Sequence, residues 1–275
     1  MVTEKFRLNK AAIYIFLLAM SVVSLFPFYI MIIMSTHVNE ELFTGIQMLP
    51  GNYLAQNFHT IMSTNFLLYY KNSIIITLSS TIGIVTISTI TGFAFAKMKF
   101  RGKNMLFYFI LGTIMIPSQV GLVGFIIEMK WFGINNTFLP LIIPPMASAF
   151  GVFWMKQYIG ASVPDELLEA AKIDGCGVMR TLIRIVAPVI KPALITLFLL
   201  FFLWMWNDYL TPLVILNDQK LYTIPLSISI IGQLHRTDYA ARILCLTLAT
   251  IPILILFASG SKYLIKGMIA GSIKG

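Results

Sequence analysis

Carboxylates are scarce in this sequence, eleven among 275 residues, so their positions carry information. Four of them, Asp165, Glu166, Glu169 and Asp174, lie in one polar run, Pro164-Asp-Glu-Leu-Leu-Glu-Ala-Ala-Lys-Ile-Asp-Gly-Cys-Gly177, set between apolar blocks. Another, Asp208, stands in an apolar and aromatic stretch beside Asn207, with Trp204 and Tyr209 close by. An ionised carboxylate at mid-bilayer depth costs on the order of 3 kcal/mol, so Asp208 is expected to face a bundle interior, a watery cavity or a partner. Aromatic faces stack on sugar rings, while amides and carboxylates bind hydroxyls. Trp204, Asn207, Asp208 and Tyr209 are therefore candidates to border a carbohydrate path. The other reading of Asp208, an interhelical hydrogen bond, stays open.

Catalytic chemistry finds little support. His37, His59 and His235 all fall outside the apolar runs and form no metal or catalytic array. A hydrolase embedded in the membrane needs a nucleophile and a base at depth, and no Glu-x-x-His pattern occurs in a run. Nothing resembles G-x-x-x-x-G-K-[ST]; Arg101-Gly-Lys-Asn104 is only a basic turn. Cys176 and Cys245 have no zinc spacing.

The elements that must position these residues are apolar helices. The chain is 58% hydrophobic and 11% charged, outside the balance of a soluble domain. Six runs are long enough to cross a bilayer: Ala11–Met34, Ser73–Ala96, Met105–Ile127, Phe138–Met155, Pro192–Leu216 and Ile243–Ile265. They are continuous, without the alternation of barrel strands. The first reads as a retained helix, too long for a signal-peptide core. The expected fold is all-α, a polytopic membrane protein of six transmembrane helices in one domain, 1–275.

The net charge of +9 belongs to topology, not to nucleic acid. With the N-terminus inside, the inner segments hold fifteen of the twenty Lys and Arg residues, and the outer ones hold only Lys71, Lys130, Lys220, Arg236 and Arg242. Both termini then lie in the cytoplasm, and the two cysteines fall on opposite sides. The longest outer loop, 35–72, carries a Pro50-Gly51-Asn52 turn signal and interfacial aromatics. Pro27, Pro140, Pro144 and Pro145 are expected to bend helices one and four. The Ser and Thr residues of helix two, from Thr77 to Thr91, read as packing groups.

The polar run folds, on this reading, into an elbow inside the cell spanning about 159–191. A helix begins at Ser162 or Val163 with Pro164 in its first turn. Asp165 and Glu166 suit its positive end. Leu167, Leu168 and Ala171 share a face, and Gly175 and Gly177 end the helix. A second, basic helix bearing Arg180 and Arg184 leads to Pro188 and Pro192. Small Ala170 and Ala171 admit another backbone, and Glu169 offers a carboxylate to it.

Here the chain resembles the permeases of binding-protein-dependent ABC importers. Glu169-Ala-Ala171, Asp174-Gly175 and Ile185…Pro188…Lys191-Pro192 are similar to that family's coupling loop. Asn72-Ser73, Phe93-Ala-Phe-Ala-Lys-Met-Lys-Phe-Arg-Gly102, Ile116-Pro117, Gly133…Asn136-Thr137, Trp206-Asn-Asp-Tyr-Leu210 and the C-terminal Lys266-Gly…Ala270-Gly-Ser-Ile-Lys-Gly275 resemble its sugar-uptake, maltose-type branch, the shorter six-helix permease. Asp208 replaces a common glutamate, and Cys176 a common small residue. The resemblance implies that Glu166, Glu169, Ala170, Ala171, Asp174, Gly175 and Arg180 couple to an ATPase, and that a tail with Lys266, Gly267, Gly271 and Lys274 reaches toward it. It implies a homologous second permease, a cytoplasmic ATPase dimer that binds the ATP and Mg, an extracytoplasmic solute-binding protein, a sugar cargo and a prokaryotic cell membrane. No cofactor is expected in this chain. Glycerol phosphate or another polar solute fits the same scaffold. A secondary transporter fits less well, lacking repeats and coupling acids.

Overall fold

The computed structural model describes residues 2–231 and 238–272, and among the described residues it contains helices and no strand. The chain divides into two compact units, 1–66 with 228–251 and 67–227 with 252–275.

In the first unit, helix α1 (Val2–Met34) runs unbroken through Pro27. Its residues from Ala12 to Tyr29 are all exposed, a surface for lipid or protein. The loop after α1 contains a further helix, α2 (Leu54–Met62), which the sequence reading did not place. Buried Asn57 donates to the carbonyls of Ser35 and His37, at 2.9 and 2.8 Å. Gly51 N–H donates to Thr36 Oγ1, and a Cβ on Gly51 would stand 2.6 Å from the Thr36 carbonyl oxygen. The glycine of the turn signal is thus required by close approach.

The second unit carries the candidate sites. Helix α3 (Phe66–Lys97) is long and apolar enough to span. Its Ser80 and Thr89 hydroxyls donate back to carbonyls of their own helix. Helix α4 (Lys103–Ile114) and the residues through α5 (Leu122–Trp131) form one apolar run bent by 84°. An unbroken third span was expected. Pro117 supplies no N–H and disfavours helical backbone in Ile116, so the ladder stops there. A short α6 (Leu139–Ile142) and a tight turn at Pro144–Met146 lead to α7 (Ala149–Ser162), consistent with the expected proline bends.

Next come α8 (Asp165–Ile173), α9 (Val178–Thr181) and α10 (Ala187–Val189). Between the last two, Leu182–Val186 forms a π turn, with Ala187 N–H donating to Leu182 O. Pro188 explains it: the ring crowds the carbonyl four residues back and offers it no donor, so the ladder widens. Helix α11 (Lys191–Trp206) leaves this segment at 84°. It is followed by α12 (Leu210–Ile215), α13 (Ile224–Ser227) and α14 (Tyr239–Ser272). Among the described residues four helices are long and apolar enough to span, or up to six if each bent pair is one span.

The core of this unit joins α3, α7 and α11 through Ile84, Met155, Ile159, Ile190 and Leu197, all fully buried. A Cβ on Gly92 would meet Met155 Cβ at 2.6 Å and Lys156 N at 2.9 Å, so glycine lets α3 and α7 touch. Long-range side-chain caps hold the segment after α12. Asn72 Nδ2 donates to the Lys220 and Tyr222 carbonyls, Ile224 N–H donates to Ser73 Oγ, and Asn136 Oδ1 accepts from the Asn217 and Asp218 N–H groups.

Candidate functional site

The polar run builds an elbow. Its first helix starts at Asp165, later than expected, because Val163 and Pro164 are extended and Ser162 still belongs to α7. Pro164 therefore precedes the helix instead of lying in its first turn. The C-terminus closes as a Schellman turn: Gly175 sits at φ +73°, its N–H donates to Lys172 O, and Cys176 N–H donates to Ala171 O. Glycine is needed there, since the left-handed backbone strains other residues.

The elbow presents a mixed surface. Glu166, Glu169, Ala170, Asp174, Gly175 and Arg180 are exposed, together with the apolar Leu167, Ile173, Met179 and Ile183. Leu168 and Ala171 turn inward, Ala171 being only 2% exposed. Ala171 was expected to admit a partner's backbone; it packs against its own chain instead, because it lies one turn from Leu168 on the inner face. The Lys97 ammonium, at the end of α3, lies 2.6 Å from Asp165 Oδ1 and donates to it. That hydrogen bond and charge hold the Asp165 carboxyl below the usual carboxylate range. Lys97 thus ties the elbow to the end of a helix long enough to span. Lys266, Gly267 and Gly271 lie in α14 with side chains outside the described residues, as are Lys274 and His235.

At the other end of α11 the helix stops at Trp206, and Asn207–Tyr209 are not helical. Asp208 had been expected within a continuous fifth helix reaching Leu216. It stands instead in the break, half-buried, where its Oδ1 accepts the Thr211 N–H at 3.2 Å and starts α12. Asn207 Nδ2 donates back to Leu203 O. Both side chains compete with the helical ladder, and Pro212, four residues on, offers the Asp208 carbonyl no donor, so the helix ends at this pair.

A cavity of about 900 Å³ opens beside this break. Trp204, Met205, Asp208 and Thr211 form one wall. Gln119, Gly121, Leu122, Gly124, Phe125 and Glu128 form a second, and Pro140, Leu141, Pro144 and Pro145 complete it. Of the four candidates for a path, Trp204 and Asp208 line the cavity; Asn207 and Tyr209 do not. Gln119 and Glu128 escaped the sequence reading. Glu128 lies one residue beyond the expected third span, and the only available signal was Pro117 upstream. Among the described residues no group of three or more His, Cys, Asp or Glu side chains could hold a metal ion. Cys176 and Cys245 are free thiols.

Comparison with known proteins agrees with this geometry. The family described as "Binding-protein-dependent transport system inner membrane component" matches residues 84–270. The chain is 30% identical to the trehalose/maltose transport system permease protein of Thermococcus litoralis, over 98% of each chain. It is 36% identical to the sn-glycerol-3-phosphate transport system permease protein of Salmonella typhi, over 73% of this chain and 74% of that one. Its fold matches a chain of a bacterial ABC transporter involved in the import of the acidic polysaccharide alginate, with TM-score 0.79 and 21% identity over 94% of this chain and 96% of that one.

Proposed function

This chain belongs to the family of binding-protein-dependent transport system inner membrane components, as a multi-pass ABC importer permease, and from that premise we propose that its cargo is a carbohydrate and that a separate ATPase drives it. The observation that carries the reading is the line joining elbow to cavity. The exposed elbow turns into α11, α11 is buried along Ala193, Leu197 and Phe201, and its far end is the Asp208 break. A helix of this length spans about 24 Å, so a push on the elbow reaches the cavity wall through close-packed side chains, which move as a unit.

In this mechanism a cytoplasmic ATPase dimer grips the elbow of this subunit and that of a homologous permease. Glu166, Glu169 and Asp174 supply carboxylates for arginine or backbone donors, and Leu167, Ile173 and Met179 supply apolar area. ATP-driven closure displaces the elbow and turns the path outward, where a loaded binding protein delivers its solute. The excess of Lys and Arg on one set of loops supports cytoplasmic termini. ATP and Mg belong to the ATPase. Trp204 and Asp208 offer a stacking face and a hydroxyl acceptor to the solute.

Purification of tagged protein from native membranes in mild detergent tests the assembly. Wild type should bring down an ATPase and a second permease, and Glu169→Lys should recover the ATPase roughly tenfold less, because a reversed charge meets the contact. Undiminished recovery with normal uptake would remove Glu169 from the docking surface. A phosphorylated solute is the second reading, favoured by the glycerol-3-phosphate relative.

A further inference from the structure

The cavity beside Asp208 lies between two interruptions of apolar helices, one at Pro117 and one at Asn207–Tyr209. Non-helical backbone at membrane depth is tolerated only where protein buries it or water reaches it. Its polar equipment is one-sided. Glu128 and Asp208 bring two carboxylates, and no Lys, Arg or His is among the described residues that line it. Glu128 makes no side-chain hydrogen bond or ion pair with the described residues, and Asp208 gives one oxygen to Thr211 N–H. The remaining oxygens are acceptors. Phe125 and Trp204 add aromatic faces.

We propose that Glu128 and Asp208 make this cavity a charge filter, which passes neutral polyhydroxylated or cationic solutes and turns away phosphorylated and uronate ones. The proposal rests on the carrier reading above and narrows it. A cleft of one sign, walled by low-dielectric side chains, concentrates counter-ions and depletes like charges by about tenfold or more. Sugar hydroxyls can donate to both carboxylates, whereas a phosphate brings charge of the same sign and no donor to match it. By this argument the solute differs in charge from those of the glycerol-3-phosphate and alginate systems to which the chain is similar.

Charge-selective labelling tests the filter without knowing the cargo. In the assembled complex in membrane vesicles, Cys176 and Cys245 are replaced by Ser and Ala, and a cysteine is placed at Thr211 or, separately, at Gln119. Its reaction rates with cationic and anionic methanethiosulfonates of equal size are compared, with and without ATP plus vanadate. The cationic-to-anionic ratio should exceed that of a free small thiol by about tenfold or more. It should fall toward the free-thiol value when Glu128→Gln and Asp208→Asn are added. A ratio equal to that of the free thiol, or one indifferent to both neutralisations, overturns the proposal. So does a cysteine that neither reagent reaches at either position in any state. Co-purification of an ATPase and a second permease with the same protein judges the carrier reading separately, so the two failures are distinguishable.

Discussion

His37 shows what a single side chain can fix. Its Nδ1 lies 2.6 Å from Glu41 Oε2 and its Nε2 lies 2.9 Å from the Leu49 carbonyl oxygen. Both neighbours only accept, so both contacts are satisfied together only by the doubly protonated ring. The Leu49 carbonyl first, and Glu41 after it, push the His37 pKa up from its ordinary value. A raised folded pKa gives stability that is fully present below the unfolded value of about 6.5. That stability is lost as pH rises through the folded value. Thermal unfolding of purified protein should therefore come at a lower temperature at pH 8.5 than at pH 6, and His37→Gln should flatten the difference. An equal slope in the variant would show that other groups set the pH response. Nothing in the sequence announced this contact. His37 read as one of three scattered histidines, because its partners are set by how the loop folds. Asp208 was legible as a special residue, yet its cap on Thr211 was not.

At the scale of elements, the apolar runs, the elbow and the proline bends before α7 were readable, and the breaks after α4 and α11 were not. Composition marks a run of about 20 apolar residues as a span whether it is straight or broken. Pro117 lay in view, but the breaks at Ile116–Pro117 and Asn207–Tyr209 depend on local competition for backbone hydrogen bonds. Gly175 was placed correctly because a helix end with a left-handed residue is a local pattern. The Lys97–Asp165 pair was missed, being 68 residues apart. Asp165 is mostly exposed, so the pair adds little to stability. Its place between α3 and the elbow matters more. Lys97→Met should leave the unfolding temperature nearly unchanged. Solute moved per ATP hydrolysed should fall, because the elbow loses its charge contact with the end of α3. Lys97→Arg should keep most of the coupling. Equal coupling in all three proteins would reduce the pair to a surface contact.

For the molecule as a whole, family membership came from motifs spread along the sequence, and the structure gives several of them a physical role. Asn72, Ser73 and Asn136 are caps that fasten the segment after α12. Asn72→Ala would strip the Lys220 and Tyr222 carbonyls of a buried donor, at a cost of about 1–3 kcal/mol. We expect a lower yield of folded protein, with uptake per folded molecule closer to wild type; a normal yield would show that water replaces the amide. The same cap sets a clock on biogenesis. Asn72 and Lys220 are separated by 148 residues. At about 5–20 residues per second, the ribosome delivers the second roughly 7–30 s after the first. Throughout that interval a polar amide at the head of a newly inserted helix has no native acceptor, and the nascent protein needs water, lipid head groups or the insertion machinery to shelter it.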